Sequence, residues 1–272
     1  MRRILLSFVA CALLAPYSHA RRQPGQATVQ TAAQPQRDPQ AVAIVQQVVK
    51  AMGAAAQSPP TSIVASGTYT RYLAGSTVSY PLRVEVLGSD QFRWEIDTPD
   101  LGTIVTVVSG TAAWSQSTQG TEPIAVAEIP GKTCESFPFL ALAAWANSPT
   151  VGLAMVGPET LAGRSVDHIT VTPTLAGNTD PNRENRYETT QRRELFLDRQ
   201  TLLPYRMRYY SHPLDWRVPL AMEVEYGNFQ TVNGLSFPAS ITTFRGALML
   251  SQIQLNSLTL NVPVSAVDFQ PR

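Results

Sequence analysis

The last third of the chain, from about residue 192 to residue 269, constrains the fold most strongly because apolar and polar side chains alternate along it. In the segment 205–209 apolar or aromatic residues alternate with two arginines, and in 222–226 they alternate with two glutamates. Successive side chains of a β-strand point to opposite faces, so each segment has one apolar and one polar face. This pattern is typical of an antiparallel sheet that is covered on one side only. Turn-forming residues between the segments, such as Asn233-Gly234, predict a long meander.

Alternation also predicts strands in the rest of the chain. Phe92, Trp94 and Ile96 share one face of a predicted strand, and the charged residues between them share the other. The segment 123–134 is ambiguous between a short strand and a loop. The predicted strands before the closing meander cover 62–72, 78–87, 91–98, 101–108, 112–117, 153–161 and 167–173.

Two segments have helical patterns. Asp38 and Pro39 are suited to the start of a helix, valines recur at helical spacing as far as Met52, and Gly53 is suited to its end. A second helix over 136–146, with Ser136 as the expected cap, is apolar almost all round and must therefore be enclosed. One helix before a curved antiparallel sheet and one apolar helix in mid-chain predict a sheet wrapped around a helix, whose concave side can hold a ligand.

The N-terminus has the features of a secretory signal peptide. Two arginines precede an apolar run, and small residues end at Ala20, after which we expect cleavage. The run is shorter than the roughly 20 apolar residues that span a bilayer, so we predict no transmembrane span. Residues 21–38 are rich in Gln, Ala and Pro and predict a disordered linker. The predicted folded domain covers 39–272.

Charge and motifs argue against several functions. Lys and Arg number 21 against 20 Asp and Glu, so no net field favours nucleic acid, and we expect no nucleic-acid partner. Past the signal peptide only His168 and His212 remain, and neither has metal-ligand spacing to other ligating residues. Glu223 and Glu225 could suggest catalytic carboxylates, but cross-strand arginines are their more natural partners. We therefore predict no enzyme, no catalytic residue, no metal and no cofactor.

Four loose motifs, in order along the chain, resemble those of one family. They are Phe92-Arg93-Trp94 with Pro99, followed by Ser109-Gly110 and Trp114; Leu195-Phe196-Leu197-Asp198 with Leu203-Pro204; Asn233-Gly234-Leu235 with Phe237-Pro238; and Asn261-Val262-Pro263 leading to Phe269. The family that these motifs resemble is the LolA/LolB-like periplasmic lipoprotein carriers, whose relatives include RseB-type stress sensors and LppX/LprG-type glycolipid binders. The aspartate of the family's first turn is missing here.

The resemblance implies a mainly β (α+β) fold, in which a strongly curved antiparallel sheet of roughly eleven strands forms an open half-barrel. The helix at 39–52 would be a lid and the helix at 137–146 an apolar plug. The resemblance also implies a periplasmic location for the exported chain. Carriers of this type hold the lid with an arginine; Arg71, Arg83 and Arg93 are candidates by position, and no motif selects one of them.

Aromatic residues and methionines define the predicted site. Two interpretations stay open: the plug fills the barrel as an ordinary core, or an apolar cavity remains for a ligand. A cavity of this composition suits acyl chains. The predicted function is therefore that of a monomeric carrier shielding the acyl chain of a lipid or lipoprotein, and the alternative is a sensor or scaffold that binds another envelope protein. The predicted lipid-binding residues are Tyr69, Phe92, Trp94, Trp114, Phe137, Phe139, Leu140, Trp145, Tyr205, Met207, Tyr209, Met222 and Tyr226.

Overall fold

The computed structural model describes most of the predicted domain. The described residues are 35–53, 59–88, 90–110, 112–124, 136–173, 191–211 and 220–270. The predicted signal peptide, residues 21–34 of the predicted linker and His212 lie outside them. No helix in the described ranges is long and apolar enough to cross a membrane.

A single antiparallel sheet forms most of the described structure. It is curved and unclosed, and the described residues contain thirteen strands rather than the roughly eleven predicted. The fold class predicted from the sequence is confirmed. The strands are β1 (Ser62–Leu73), β2 (Ser76–Leu87), β3 (Gln91–Thr98), β4 (Gly102–Ser109), β5 (Ala112–Ser117), β6 (Gly120–Pro123), β7 (Val151–Leu161), β8 (Arg164–Pro173), β9 (Arg193–Asp198), β10 (Pro204–Ser211), β11 (Leu220–Val232), β12 (Leu235–Arg245) and β13 (Leu248–Leu260).

The order of the strands explains where the mid-chain helix lies. Across the sheet the order is β6-β5-β4-β3-β2-β1-β13-β12-β11-β10-β9-β8-β7. The chain therefore runs outward to one edge at β6, passes to the opposite edge at β7, and returns inward until β13 pairs with β1. The connection between the edges contains helix α2 (Pro138–Asn147). Because the sheet is curved, this crossing connection carries α2 over the face of the sheet that bears the main core.

The two faces of the sheet follow the predicted alternation. We call the face with Phe92 and Trp94 concave and the face with Arg93 and Glu95 convex. Phe92 pairs with Val86 and Val108, which all lie in the main core beside the helices. These strands therefore present apolar residues to the helices.

Helix α1 (Pro39–Ala51) forms as predicted. The side chain of Asp38 caps it by accepting a hydrogen bond from the Gln40 N–H at 2.8 Å. Ala41, Val45 and Val48 are fully buried, so the valine stripe packs into the core. After the helix, Gly53 adopts φ +86°, and a Cβ at this position would lie 1.9 Å from the Gly234 carbonyl oxygen. Only glycine fits this close approach between the helix end and the β11–β12 hairpin.

Helix α2 differs in two details from its prediction. Phe137, not Ser136, occupies the cap position, and no side chain caps the helix. The helix is also not enclosed on all sides, because Ala144 is exposed and Trp145 is only partly buried. Only one face of the helix, which includes Phe139 and Leu142, enters the core. The apolar composition of the segment does not indicate which face that is.

Residues 35–38, at the end of the predicted linker, are hydrogen-bonded to the sheet. The Asp38 N–H donates to the Leu153 carbonyl at 2.7 Å, and the Leu153 N–H donates to the Gln36 carbonyl at 3.1 Å. These bonds join the segment to β7 as a short parallel bridge. Composition could not predict this pairing, because backbone groups make it and no apolar side chain signals it.

Candidate functional site

A cavity lies on the concave side of the sheet. Its volume is about 430 Å³, within the range of roughly 300–1,000 Å³ that is usual for small-molecule sites. Seven strands contribute to its wall, so it depends on the curvature of the whole sheet. The lining residues are Tyr69, Arg71, Tyr72, Leu73, Trp94, Ile96, Thr106, Tyr209, Met222, Thr243, Leu250, Ser251 and Ile253.

Strand register brings these side chains together. Tyr69 pairs with Ile253 across β1 and β13, and Trp94 pairs with Thr106 across β3 and β4. Paired residues of an antiparallel sheet lie on the same face, so these four side chains share the concave side. On the opposite wall Tyr209 pairs with Met222 across β10 and β11.

The cavity wall is mostly apolar and has one charged group. Arg71 is the one charged side chain among the described lining residues. It lies two residues beyond Tyr69 on β1, so both point to the same face, and it is exposed at the hairpin end of the strand. Its guanidinium makes no hydrogen bond or ion pair with any described residue. The wall therefore combines an apolar interior with a cationic rim.

Four of the predicted lipid-binding residues line this cavity: Tyr69, Trp94, Tyr209 and Met222. The remaining nine do not. Five of these are buried in the main core, and two in α2 are partly buried against it. The five buried residues are Phe92, Phe137, Phe139, Met207 and Tyr226, and the two partly buried residues are Leu140 and Trp145.

Aromatic side chains of α2 and the residue before it fill one end of the concave side. The ring of Phe137 lies 6.3 Å from that of Phe92 and 6.1 Å from that of Phe237, and the ring of Phe139 lies 4.9 Å from that of Phe237. The ring of Trp94 lies 5.4 Å from that of Phe92 and separates this packed region from the cavity. The aromatic residues of α2 thus fill one end of the concave side, and a cavity remains at the other end.

Trp114 and Tyr205, two of the predicted lipid-binding residues, lie on the convex face. Trp114 pairs with Val107 and packs with Phe269 from the 3-10 helix Ala266–Phe269. Both faces of the sheet are covered at Trp114, so the alternation of apolar and polar residues no longer distinguishes the concave face from the convex face. Tyr205 lies at a register shift between Pro204 and Arg206, which changes the phase of the alternation.

The candidate arginines for a lid contact have other environments. Arg83 and Arg93 lie on the convex face, where each forms an ion pair with a glutamate two residues later. Arg71 lies at the rim of the cavity. Among the described residues, no hydrogen bond or ion pair joins any of the three to α1.

Arg37, which the sequence did not single out, makes the contact between the N-terminal segment and α2. Its Nη1 donates to the carbonyl oxygens of Ser148 at 2.6 Å, Val151 at 2.7 Å and Trp145 at 3.2 Å. Its Nη2 donates to the carbonyl of Ala146 at 2.6 Å. The last carbonyls of a helix have no partner within the helix, and a cation there also opposes the negative end of the helix dipole. Arg37 therefore acts as the C-terminal cap of α2.

Helix α1 is anchored at both ends and does not cover the cavity. The Asp38 carboxylate accepts from the Met155 N–H at 3.3 Å, and the Met52 carbonyl accepts from the Ser236 N–H at 2.9 Å. No residue of α1 is among the described lining residues. The helix that the resemblance implies as a lid is present, and its buried residues Ala41, Val45 and Val48 pack into the main core.

Charged residues on the convex face form a connected network. Arg206 contacts Glu223 at 2.8 Å and Glu225 at 2.6 Å, and Arg208 contacts Glu223 at 2.8 Å and Glu194 at 3.0 Å. Burial alone would lower the pKa of Arg206 and of Arg208, but the neighbouring glutamates outweigh burial and raise both pKa values. The prediction that cross-strand arginines pair with the two glutamates of β11 is confirmed.

His168 lies in the same face of the sheet. Its Nδ1 is 3.4 Å from Glu159, its Nε2 is 3.9 Å from Glu194, and its ring packs on Phe196 with centroids 4.5 Å apart. The side chain is largely buried. Within the described ranges no group of three or more His, Cys, Asp or Glu residues could hold a metal ion.

The cavity also contains residues that the sequence analysis missed. Ile96 follows Trp94 in the same alternation and could have been identified by it. Ile253 alternates with Gln252 and Gln254 and could have been identified in the same way. Leu250 has no such signal, because it lies in the apolar run Leu248-Met249-Leu250. Thr106 and Thr243 are polar and would not be selected by a search for apolar residues.

Comparisons with known structures agree with this architecture. The sequence matches no protein-family model and no curated protein. A domain named as an outer membrane lipoprotein-sorting protein, from Vibrio parahaemolyticus, aligns with a TM-score of 0.56 at 12% identity, covering 85% of this chain and 96% of that one. A LolA superfamily protein from Nitrosomonas europaea aligns with a TM-score of 0.55 at 14% identity, covering 85% of this chain and 97% of that one.

The chain has the LolA-like fold. A DUF1329 family protein from Desulfovibrio piger is similar to the same degree, with a TM-score of 0.54, 12% identity and coverage of 85% of this chain and 97% of that one. The resemblance stated from the four sequence motifs is confirmed at the level of fold. At these identities the LolA-like fold itself leaves the ligand open, so function has to be argued from the cavity.

Proposed function

We propose that this LolA-like chain is an exported, non-enzymatic binding protein that shields an acyl chain of a lipid in its concave cavity. The observation that carries the proposal is the apolar cavity of about 430 Å³ that the curved sheet leaves beside the packed aromatic residues of α2. A hydrocarbon chain is the ligand that such a wall binds without specific polar partners.

The burial of methylene groups in the cavity gives a favourable free energy of binding. Each methylene group removed from water contributes about 0.8 kcal/mol. Ten of them give about 8 kcal/mol, which equals the free energy of micromolar binding. Ordering the ligand reduces this value. We therefore expect dissociation constants of about a micromolar or higher.

Entry to the cavity does not require movement of α1. The helix is fixed at both ends, whereas the rim of the cavity includes Leu73, which is 45% exposed beside the β1–β2 hairpin. We propose that the chain enters at this end of the sheet. The apolar tail then lies along the wall towards Trp94.

A pair of substitutions on one strand tests the proposal. Thr106→Trp places a large side chain on the concave face of β4 and should fill the cavity, whereas Thr103→Trp places the same side chain on the convex face. Titration with a fluorescent fatty acid should show binding by the wild type and by Thr103→Trp, and at least tenfold weaker binding by Thr106→Trp. Circular dichroism checks that both variants fold. Equally tight binding by both variants would place the ligand outside this cavity. Absence of binding by the wild type would remove the carrier function.

A second candidate function is a module that binds another envelope protein without cargo. The packing of Phe137 and Phe139 against Phe92 and Phe237 favours it, because much of the concave side is already filled. Wild-type protein that ignores the fluorescent fatty acid would support this second function.

A further inference from the structure

The size of the cavity restricts the number of acyl chains. A methylene group occupies roughly the 30 Å³ that one water molecule occupies in the liquid. A volume of about 430 Å³ therefore has room for about 14 methylene groups. That amount corresponds to one acyl chain of ordinary length, and a second or third chain would not fit in this arrangement.

The length of the cavity gives a similar number of carbons for the acyl chain. Trp94 pairs with Val84, which pairs with Ala65, so Trp94 lies at the level of Ala65 on β1. Arg71 is six residues further along the strand, a distance of about 20 Å at roughly 3.3 Å per residue. Carbon–carbon bonds of about 1.5 Å advance an extended chain by about 1.25 Å per carbon. About 16 carbons therefore reach from the level of Trp94 to Arg71.

The rim supplies a partner for one end of such a ligand. Arg71 is the one charged residue among the described lining residues, and no described acidic residue pairs with its guanidinium. Ser251, which pairs with Arg71 across β1 and β13, also lies in the lining and can donate or accept a hydrogen bond. An anionic head group fits this end because a carboxylate or phosphate would neutralise the arginine while it stays close to water.

Resting on the proposed function, we infer that the ligand class is an amphiphile with one acyl chain of about 14–16 carbons and an anionic head group held by Arg71. A free fatty acid and a lysophospholipid share this chemistry. Lipids with two or three acyl chains, including the triacylated N-terminus of a lipoprotein, do not match the volume.

Competition against a fluorescent fatty acid, with the full mature chain, tests the inference. The competitors are palmitate, 1-palmitoyl lysophosphatidylglycerol, 1-hexadecanol and a triacylated lipopeptide. Palmitate or the lysolipid should displace the probe, with one lipid molecule bound per protein chain. Hexadecanol should bind about fivefold more weakly because it lacks the charge, and the lipopeptide should not compete. Displacement by palmitate alone identifies a carboxylate, and displacement by the lysolipid alone identifies a phosphate.

Variants of two arginines isolate the head-group contact. Arg71→Ala should weaken the binding of the anionic lipids about fivefold and leave hexadecanol unchanged. Arg245→Ala removes an exposed arginine from the neighbouring β12–β13 hairpin, outside the lining, and should change neither. Binding of the lipopeptide in place of the single-chain lipids, or an Arg71→Ala variant with unaltered preference for anions, would overturn the inference and leave the proposed function standing. Failure of every lipid to bind would contradict both the inference and the proposed function.

Discussion

The guanidinium of Arg37 lies 2.6 Å from the carbonyl oxygen of Ala146, although 109 residues separate them in the sequence. The arginine belongs to the segment that precedes α1, and Ala146 belongs to the last turn of α2. One side chain therefore joins the N-terminal segment to the helix that crosses the concave side.

We expect Arg37→Ala to lower the free energy of unfolding by about 2–4 kcal/mol, because it leaves several helix-end carbonyls without a donor. Arg83→Ala is the matched control, since Arg83 is 51% exposed in its ion pair and its loss should cost less than about 1 kcal/mol. Urea unfolding followed by circular dichroism measures both. Similar losses for the two variants would show that Arg37 does not fix α2.

Gly53→Ala should destabilise the protein by more than Gly75→Ala. Both glycines have nearly the same positive φ, +86° and +82°, so the backbone strain of about 1–2 kcal/mol is common to both. Only at Gly53 would the added Cβ meet a backbone oxygen, whereas nothing lies within 4 Å at Gly75. Thermal unfolding of the two variants compares them directly. Equal melting temperatures would contradict the close contact between α1 and the β11–β12 hairpin.

Asp198 should make stability depend on pH. Burial alone would raise its pKa, but hydrogen bonds from the Thr201 N–H, the Arg164 guanidinium and the Gln200 N–H outweigh burial and lower the pKa below its ordinary value. A carboxyl group whose pKa is lower in the folded state contributes stability above its unfolded pKa of about 4. That contribution is lost as pH falls through the folded pKa.

Asp198→Asn should therefore cost about 1–3 kcal/mol at pH 7, and its difference from the wild type should shrink as pH falls below about 4. Asp100→Asn, at an exposed turn, is the control and should show neither effect. Urea unfolding at pH 7 and pH 3 provides the four comparisons. A difference that stays constant with pH would show that the Asp198 charge has no role in the turn.

The sequence predicted the fold well because both faces of most strands have distinct chemistry. Alternation around Trp94 and around Met207 located the concave face, and Asn233-Gly234 located a hairpin turn with positive φ at both residues. The prediction was wrong where that chemistry is absent. Trp114 lies under Phe269, so its strand is apolar on both sides, and the register shift beside Tyr205 changes the phase of the pattern.

The cavity was predicted less completely than the fold because strand pairing assembles it. Leu250 and Thr243 enter the wall through the pairing of their strands in the sheet, and neither has a local signal. Arg37 was missed because its partners are backbone carbonyls more than 100 residues away in the sequence. Such contacts depend on the path of the chain rather than on side-chain pattern.

Native mass spectrometry of the mature protein tests the central claim most directly. The protein should be purified from a periplasmic extract without detergent, and bound material should be identified after solvent extraction. We predict one bound molecule per chain, with the mass of a lipid that carries an acyl chain, and its loss in the Thr106→Trp variant. Protein that is free of lipid from the extract, and that also does not bind an added fluorescent fatty acid, would contradict the proposed carrier function.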